Sequence, residues 1–119
     1  MLLSSRYIIF IVTSLLGGIM AEVEELYNKL CRYPLQRNIL TRLVVLSYNV
    51  GDLVKSVYYA IHYGEGIDDP AYRGEIKCAL ADAYIQLLIL IKMLGFSERE
   101  IRELGANRLR EFLLHRVKK

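Results

Sequence analysis

The stretch Cys78-Ala-Leu-Ala-Asp-Ala-Tyr-Ile-Gln-Leu-Leu-Ile-Leu-Ile91 limits the fold more than any other part of the chain. It is apolar nearly all round, holds no glycine or proline, and is too long for a typical strand. A helix of this kind is expected at the centre of a bundle, yet it carries one acid, Asp82, in its middle. An ionised carboxylate in such surroundings is costly unless it is paired, hydrogen-bonded or bound to a metal. Gln86 lies one turn on, and Glu75 lies two turns back on the same stripe.

The helix that holds this stretch is expected to open at Asp69-Pro70, where aspartate is a favoured N-cap and proline a favoured first residue. It is expected to continue to Leu94, with Gly95 just past its end. A second long helix is predicted from near Asn38 to Gly64, because Leu40, Leu43, Val44, Val50, Val54, Val57 and Ile61 recur with a 3.6 period. On its other side Tyr48, Asn49, Asp52, Lys55, Ser56 and Tyr59 make a polar stripe. Asn49 and Asp52 are i, i+3 neighbours there. A shorter helix is predicted from Glu22 to Arg32, stopped by Pro34. The last helix begins at Ser97-Glu-Arg-Glu100, which matches a capping box, with a bend expected at Gly105. No strand alternation, hairpin dipeptide or repeat interrupts this pattern. The expected fold is all-α, a helical bundle of four to five helices. It forms one domain over residues 20–119, behind an apolar segment over residues 1–19.

The chain is 54% hydrophobic over 119 residues, with a mean hydropathy of +0.25. That is more apolar surface than a small monomer usually buries, so a homo-oligomer, dimer or tetramer, is expected. The net charge of +3 gathers in the last dozen residues, where Arg108, Arg110, Arg116, Lys118 and Lys119 outweigh Glu111. Cys31 and Cys78 have no CxxC spacing, which points away from a zinc site or a disulfide framework and towards a reducing, cytoplasmic setting. Arg6 and the apolar run Tyr7 to Leu16 resemble a targeting segment. The run is short for a bilayer and is broken by Gly17-Gly18, so no membrane partner is expected. An over-extended start ahead of Met20, an anchor and an extra packing helix remain alternative readings.

Two interpretations of the acids follow from spacing alone. Asp82 pairs with Lys55 or joins a buried polar network that fixes helix register. Alternatively, carboxylates on facing helices hold a divalent cation, with oxygen ligands suited to Mg²⁺ and room for substrate phosphates. Other chemistries lack their residues: His62 and His115 stand alone, and no GK[ST] follows Gly64-Glu-Gly66. Arg102, Arg108, Arg110 and Arg116 offer charge to a phosphate, but they alternate with Glu100, Glu103 and Glu111 as on a solvated face. Gly95 to Arg110 has a faint helix-turn-helix rhythm that would present Asn107, Arg108 and Arg110, and no other feature supports nucleic acid as a partner.

The segments Leu46-Ser-Tyr-Asn-Val-Gly-Asp-Leu-Val-Lys55, Leu80-Ala-Asp-Ala-Tyr-Ile-Gln-Leu-Leu88 and Leu94-Gly-Phe-Ser97 resemble the MazG-type nucleotide pyrophosphohydrolases over roughly residues 40–110. That family is all-α and oligomeric. Its signature, EExxE on one helix and ExxD on the next, holds Mg²⁺ for cleavage of nucleoside triphosphates to monophosphate and pyrophosphate. The resemblance places the first two glutamates at Tyr48 and Asn49, the third at Asp52, the next-helix glutamate at Ala79 and the aspartate at Asp82. Gly51 stands at the signature glycine. One position is kept, one is a shortened acid, one retains a neutral oxygen, and two have lost their ligand.

The resemblance therefore implies an Mg²⁺-dependent nucleoside triphosphate pyrophosphohydrolase with a weakened site. Asp52, Asp82 and Asn49 are the expected metal ligands, the two acids the expected catalytic residues, and Tyr48, Lys55, Tyr59 and Arg108 the expected nucleotide contacts. The rival expectation is a binding or scaffold protein that keeps the fold without the chemistry.

Overall fold

The computed structural model describes residues 21 to 117; the apolar segment 1–19 lies outside the described residues. Among these the chain is entirely helical, with no strand. It divides after Asn38 into two compact units. In the first, helix α1 spans residues 21–30 and passes into turns at 31–37. Tyr33 N–H donates to the Leu30 carbonyl at 3.2 Å and Arg37 N–H to the Tyr33 carbonyl at 3.0 Å, so the chain keeps turning past Pro34.

The second unit contains helices α2 (Ile39–Tyr63), α3 (Pro70–Met93) and α4 (Glu98–Val117). The six residues 64–69 fold α3 back along α2, and this αα-hairpin supplies most of the packing in the unit. Its turn is built around two residues. The Asp69 carboxylate accepts from Glu65 N–H and Ala71 N–H, both at 2.9 Å, and so holds the loop while capping α3. Gly64 sits where a Cβ would lie 2.6 Å from Asp69 Oδ2, 2.7 Å from Tyr72 Cε2 and 2.9 Å from the Ala60 carbonyl. At the far end of α3, Gly95 adopts φ 79°, which closes the helix with a bond from Phe96 N–H to the Ile91 carbonyl at 3.0 Å.

The two backbone N–H donors hold the Asp69 carboxyl below its ordinary value. A lowered folded-state value means that this latch stabilises the fold above about pH 4 and is lost as pH falls through the folded-state value. Asp69→Ala is therefore expected to melt below wild type at neutral pH, with the gap steady down to about pH 4 and narrowing as the pH falls further. A gap independent of pH would show that the carboxylate charge plays no part.

Helix α4 leaves α3 at 112°. Its start is capped by the Ser97 hydroxyl, which accepts from Glu100 N–H at 3.0 Å. Helix α4 runs through Gly105 without a break, because one glycine weakens a helix without ending it. The helix-turn-helix rhythm within 95–110 therefore has no turn at Gly105. Arg99 pairs with Glu103 at 3.0 Å, Arg102 with Glu98 at 3.3 Å, and Arg110 donates to Asn107 at 2.7 Å, all within α4. No single helix among the described residues is long and apolar enough to cross a membrane.

The core between α2 and α3 is made of small side chains. Ala60, Ala79 and Ala83 are buried, joined by Leu90, and no large side chain among the described residues is fully buried. On α2 the buried or half-buried face follows Arg42, Leu46, Asn49, Leu53, Ser56 and Ala60, at steps of four and three. Arg42 is 5% exposed, and its Nη1 donates to Gln86 Oε1 at 3.2 Å across the helix pair.

Candidate functional site

At 100° per residue, each hairpin helix has two flanks beside its buried face. On one flank the helices part into a cleft of about 550 Å³, within the range of small-molecule sites. Helix α2 contributes Asn49, Asp52, Lys55, Ser56 and Tyr59 to it, and α3 contributes Tyr72, Glu75, Cys78, Ala79 and Asp82. The polar stripe of α2 thus faces the acidic flank of α3. Three carboxylates, one amine and one thiol share the same opening.

Asp82 departs from expectation in a useful way. The apolar run around it predicted a buried acid, yet Asp82 is exposed at the cleft. Alanines 79 and 83 take the contact with α2, so position 82 turns aside to water and the desolvation cost never arises. Among the described residues no ion pair joins it to Lys55. The Lys55 ammonium instead lies over the Tyr59 ring, 5.5 Å from its centroid, a cation–π placement. Gln86 is engaged by Arg42.

The local order of the cleft follows from helix spacing. Asp52 and Ser56 are one turn apart, and the Ser56 hydroxyl donates to the Asp52 carbonyl at 2.8 Å, which turns it from the opening towards its own backbone. Tyr59 also meets Tyr63, edge-on at 5.4 Å. At the cleft edge its ring thus has a cation and a second aromatic as neighbours. Cys78 is a free, exposed thiol.

Of the residues expected from sequence, Asn49, Asp52, Lys55, Tyr59 and Asp82 come together here, and Tyr48 and Arg108 do not line the cleft. Tyr48 is 70% exposed outside it. Arg108 lies on the exposed middle of α4. Tyr72 and Cys78 had no sequence signal as site residues. Their positions become legible only once Gly64 and Asp69 set the register of α3 against α2. Ala79 is buried and offers no ligand.

The donor set falls short of a protein-built metal cage. Among the described residues no group of three His, Cys, Asp or Glu side chains is placed to hold a metal ion. Asp52 and Asp82 with the neutral oxygen of Asn49 suit an ion that keeps most of its water, the habit of Mg²⁺ rather than of zinc. No family model matches the chain, and neither does any curated protein or solved structure.

Proposed function

We propose that this chain is a MazG-like helical protein that takes a nucleoside triphosphate with Mg²⁺ in the α2/α3 cleft, with weakened pyrophosphohydrolase activity. The observation that carries this reading is that Asp52, Asp82 and Asn49 line one opening between two helices. Mg²⁺ is commonly held by one or two carboxylates plus substrate phosphates, so two aspartates suffice for an ion that arrives on the nucleotide. When bound, such an ion offsets charge on the phosphate oxygens during attack by water. Asp52 and Asp82 would hold it from opposite helices, and Asn49 would orient the shell. Lys55 provides a point charge for phosphate, and the Tyr59 ring provides a flat surface for a base. The weakness follows from the missing acids at Tyr48, Asn49 and Ala79, which leave too little negative charge for two metals.

The test is pyrophosphate release with Mg²⁺ across a panel of natural and modified nucleoside triphosphates. Slow release that is lost in Asp82→Ala supports the proposal; no release with any substrate sinks the enzymatic part of it. Binding is read separately. A nucleotide with Mg²⁺ at 100 times its Kd should stabilise the fold by about 2.7 kcal/mol, and Asp82→Asn should abolish that shift.

A second reading, a binding or scaffold protein without chemistry, is favoured by the lack of a three-donor cluster among the described residues. It expects no Mg²⁺-dependent shift in melting. Because Asp82 is exposed, it also expects Asp82→Asn to melt like wild type.

A further inference from the structure

Helix α4 makes few contacts with α3, and every side chain from Arg102 to Arg116 is exposed. Helices in proteins gain most of their stability by packing one face, and α4 leaves its own uncovered. Its charges alternate along the sequence but not in space. At about 100° per residue, Glu100, Glu103 and Glu111 fall within about 80° of one another on one side of the helix. Arg102, Arg108 and Arg116 fall on the opposite side, in a sector of about 140° that also holds Leu109, Phe112 and Leu113. Glu98 shares this side only in the first turn, where it pairs with Arg102 at 3.3 Å. The three apolar side chains are 59%, 53% and 52% exposed. The Arg116 guanidinium lies over the Phe112 ring, 5.3 Å from its centroid, so cation and apolar group share one surface. Over the last dozen residues five cations stand against one acid.

We propose that this side of α4 lies on an anionic lipid surface. Leu109, Phe112 and Leu113 enter the boundary of the acyl chains, and Arg102, Arg108 and Arg116 reach the phosphates of the headgroups. The shortness of the apolar run at 7–16 argues against a span, but a helix lying in the interface needs none, since its apolar side chains enter only about 5–10 Å. Arginine suits such a position because its methylene stem lies along apolar groups while its guanidinium bonds phosphate. The mixture of residues selects the occupant. A nucleic-acid backbone would meet the cations and leave Leu109, Phe112 and Leu113 with nothing to contact. A neutral apolar partner would cover those three and desolvate the arginines without a counter-charge. Lipid with acidic headgroups answers both, and the glutamates on the far side of α4 then face water, away from the like charge. The inference rests on α4 alone and stands whether or not the α2/α3 cleft binds a nucleotide.

The test sediments the full chain with vesicles of phosphatidylcholine alone or mixed with phosphatidylglycerol, at low and high salt. Binding is expected to the mixed vesicles only, and to weaken as salt rises. Arg108→Gln should weaken it about fivefold, the weight of one basic residue near an anionic leaflet. Lys77→Gln, which removes the same charge from an exposed position on α3, should leave it unchanged. Phe112→Ser should also weaken binding, although no charge is altered. The chain contains no tryptophan, so the emission of a Phe112→Trp variant reports on this one position. It is expected to shift to the blue with the mixed vesicles and to stay fixed with phosphatidylcholine. If the other variants misfold, this emission and the wild-type preference between the two vesicles still decide. Absence of binding, or equal binding to both vesicles, overturns the proposal. So does binding that Arg108→Gln and Phe112→Ser leave intact, or retention by duplex DNA that Phe112→Ser does not weaken. Emission already blue before lipid is added, as when a second chain covers the face, overturns it as well.

Discussion

Arg42→Ala is expected to lower the stability of the chain by about 2–4 kcal/mol, the range for truncating a long side chain in a packed interior. Arg42 is the one buried charged residue among those described, and its stem fills space that alanines elsewhere in the helix pair leave small. Truncation removes that stem and also leaves Gln86 Oε1, part-buried, without its 3.2 Å donor. In a unit of this size the loss corresponds to a fall in Tm of roughly 10 °C or more. Arg42→Met keeps the volume and drops the charge. It is expected to recover part of the stability; if it melts as low as Arg42→Ala, the guanidinium and not the stem is what the fold requires. A melting temperature within a degree or two of wild type for Arg42→Ala would refute both accounts.

Gly64→Ala is expected to cost about 1–3 kcal/mol, because the added methyl has nowhere to go. Its three near neighbours are a carboxylate oxygen, a ring carbon and a carbonyl, all closer than 3.0 Å. The ring and carboxylate must retreat, and with them go the N-cap of α3 and the wall of the cleft that Tyr72 provides. The effect should therefore couple to Tyr72. In a double-mutant cycle with Tyr72→Ala the two losses are expected to sum to less than their separate values, since the smaller side chain makes the room that alanine needs. Urea unfolding measures this through the midpoint at constant slope. Strict additivity would mean that the crowding at Gly64 is relieved in some other way.

Helix limits were legible in the sequence because they rest on local chemistry. Asp69 before Pro70, Ser97 three residues before Glu100, and Gly95 after Leu94 each satisfy backbone groups within one turn of themselves. The all-helical class followed from the same signals. Which stripe of a helix faces its neighbour was less legible. Helix α3 is apolar on most sides, so its pattern does not say that Ala79 and Ala83 make the contact while Leu80 and Tyr84 stay outside. The placing of Asp82 failed for that reason: an acid among apolar residues reads as buried, and the reading changes once the small residues are known to take the interior. The cleft was half legible. The polar stripe of α2 predicted Asn49, Asp52, Lys55 and Tyr59 together, but Tyr48, on the same stripe, does not line the opening. Arg42 carried no signal, since a lone arginine near the start of an apolar helix looks like any solvated cation.

The six-residue turn between α2 and α3 also sets the order of events when the chain folds. Most contacts in the second unit are made between segments joined by that one short loop, so little chain entropy is lost in closing it. Topologies dominated by such neighbouring elements reach their transition state in microseconds to milliseconds. The hairpin is thus an early kinetic unit, closed within a single chain. Its leucine and valine flank stays exposed once the turn has closed, and exposed apolar surface of that kind makes folding yield sensitive to concentration.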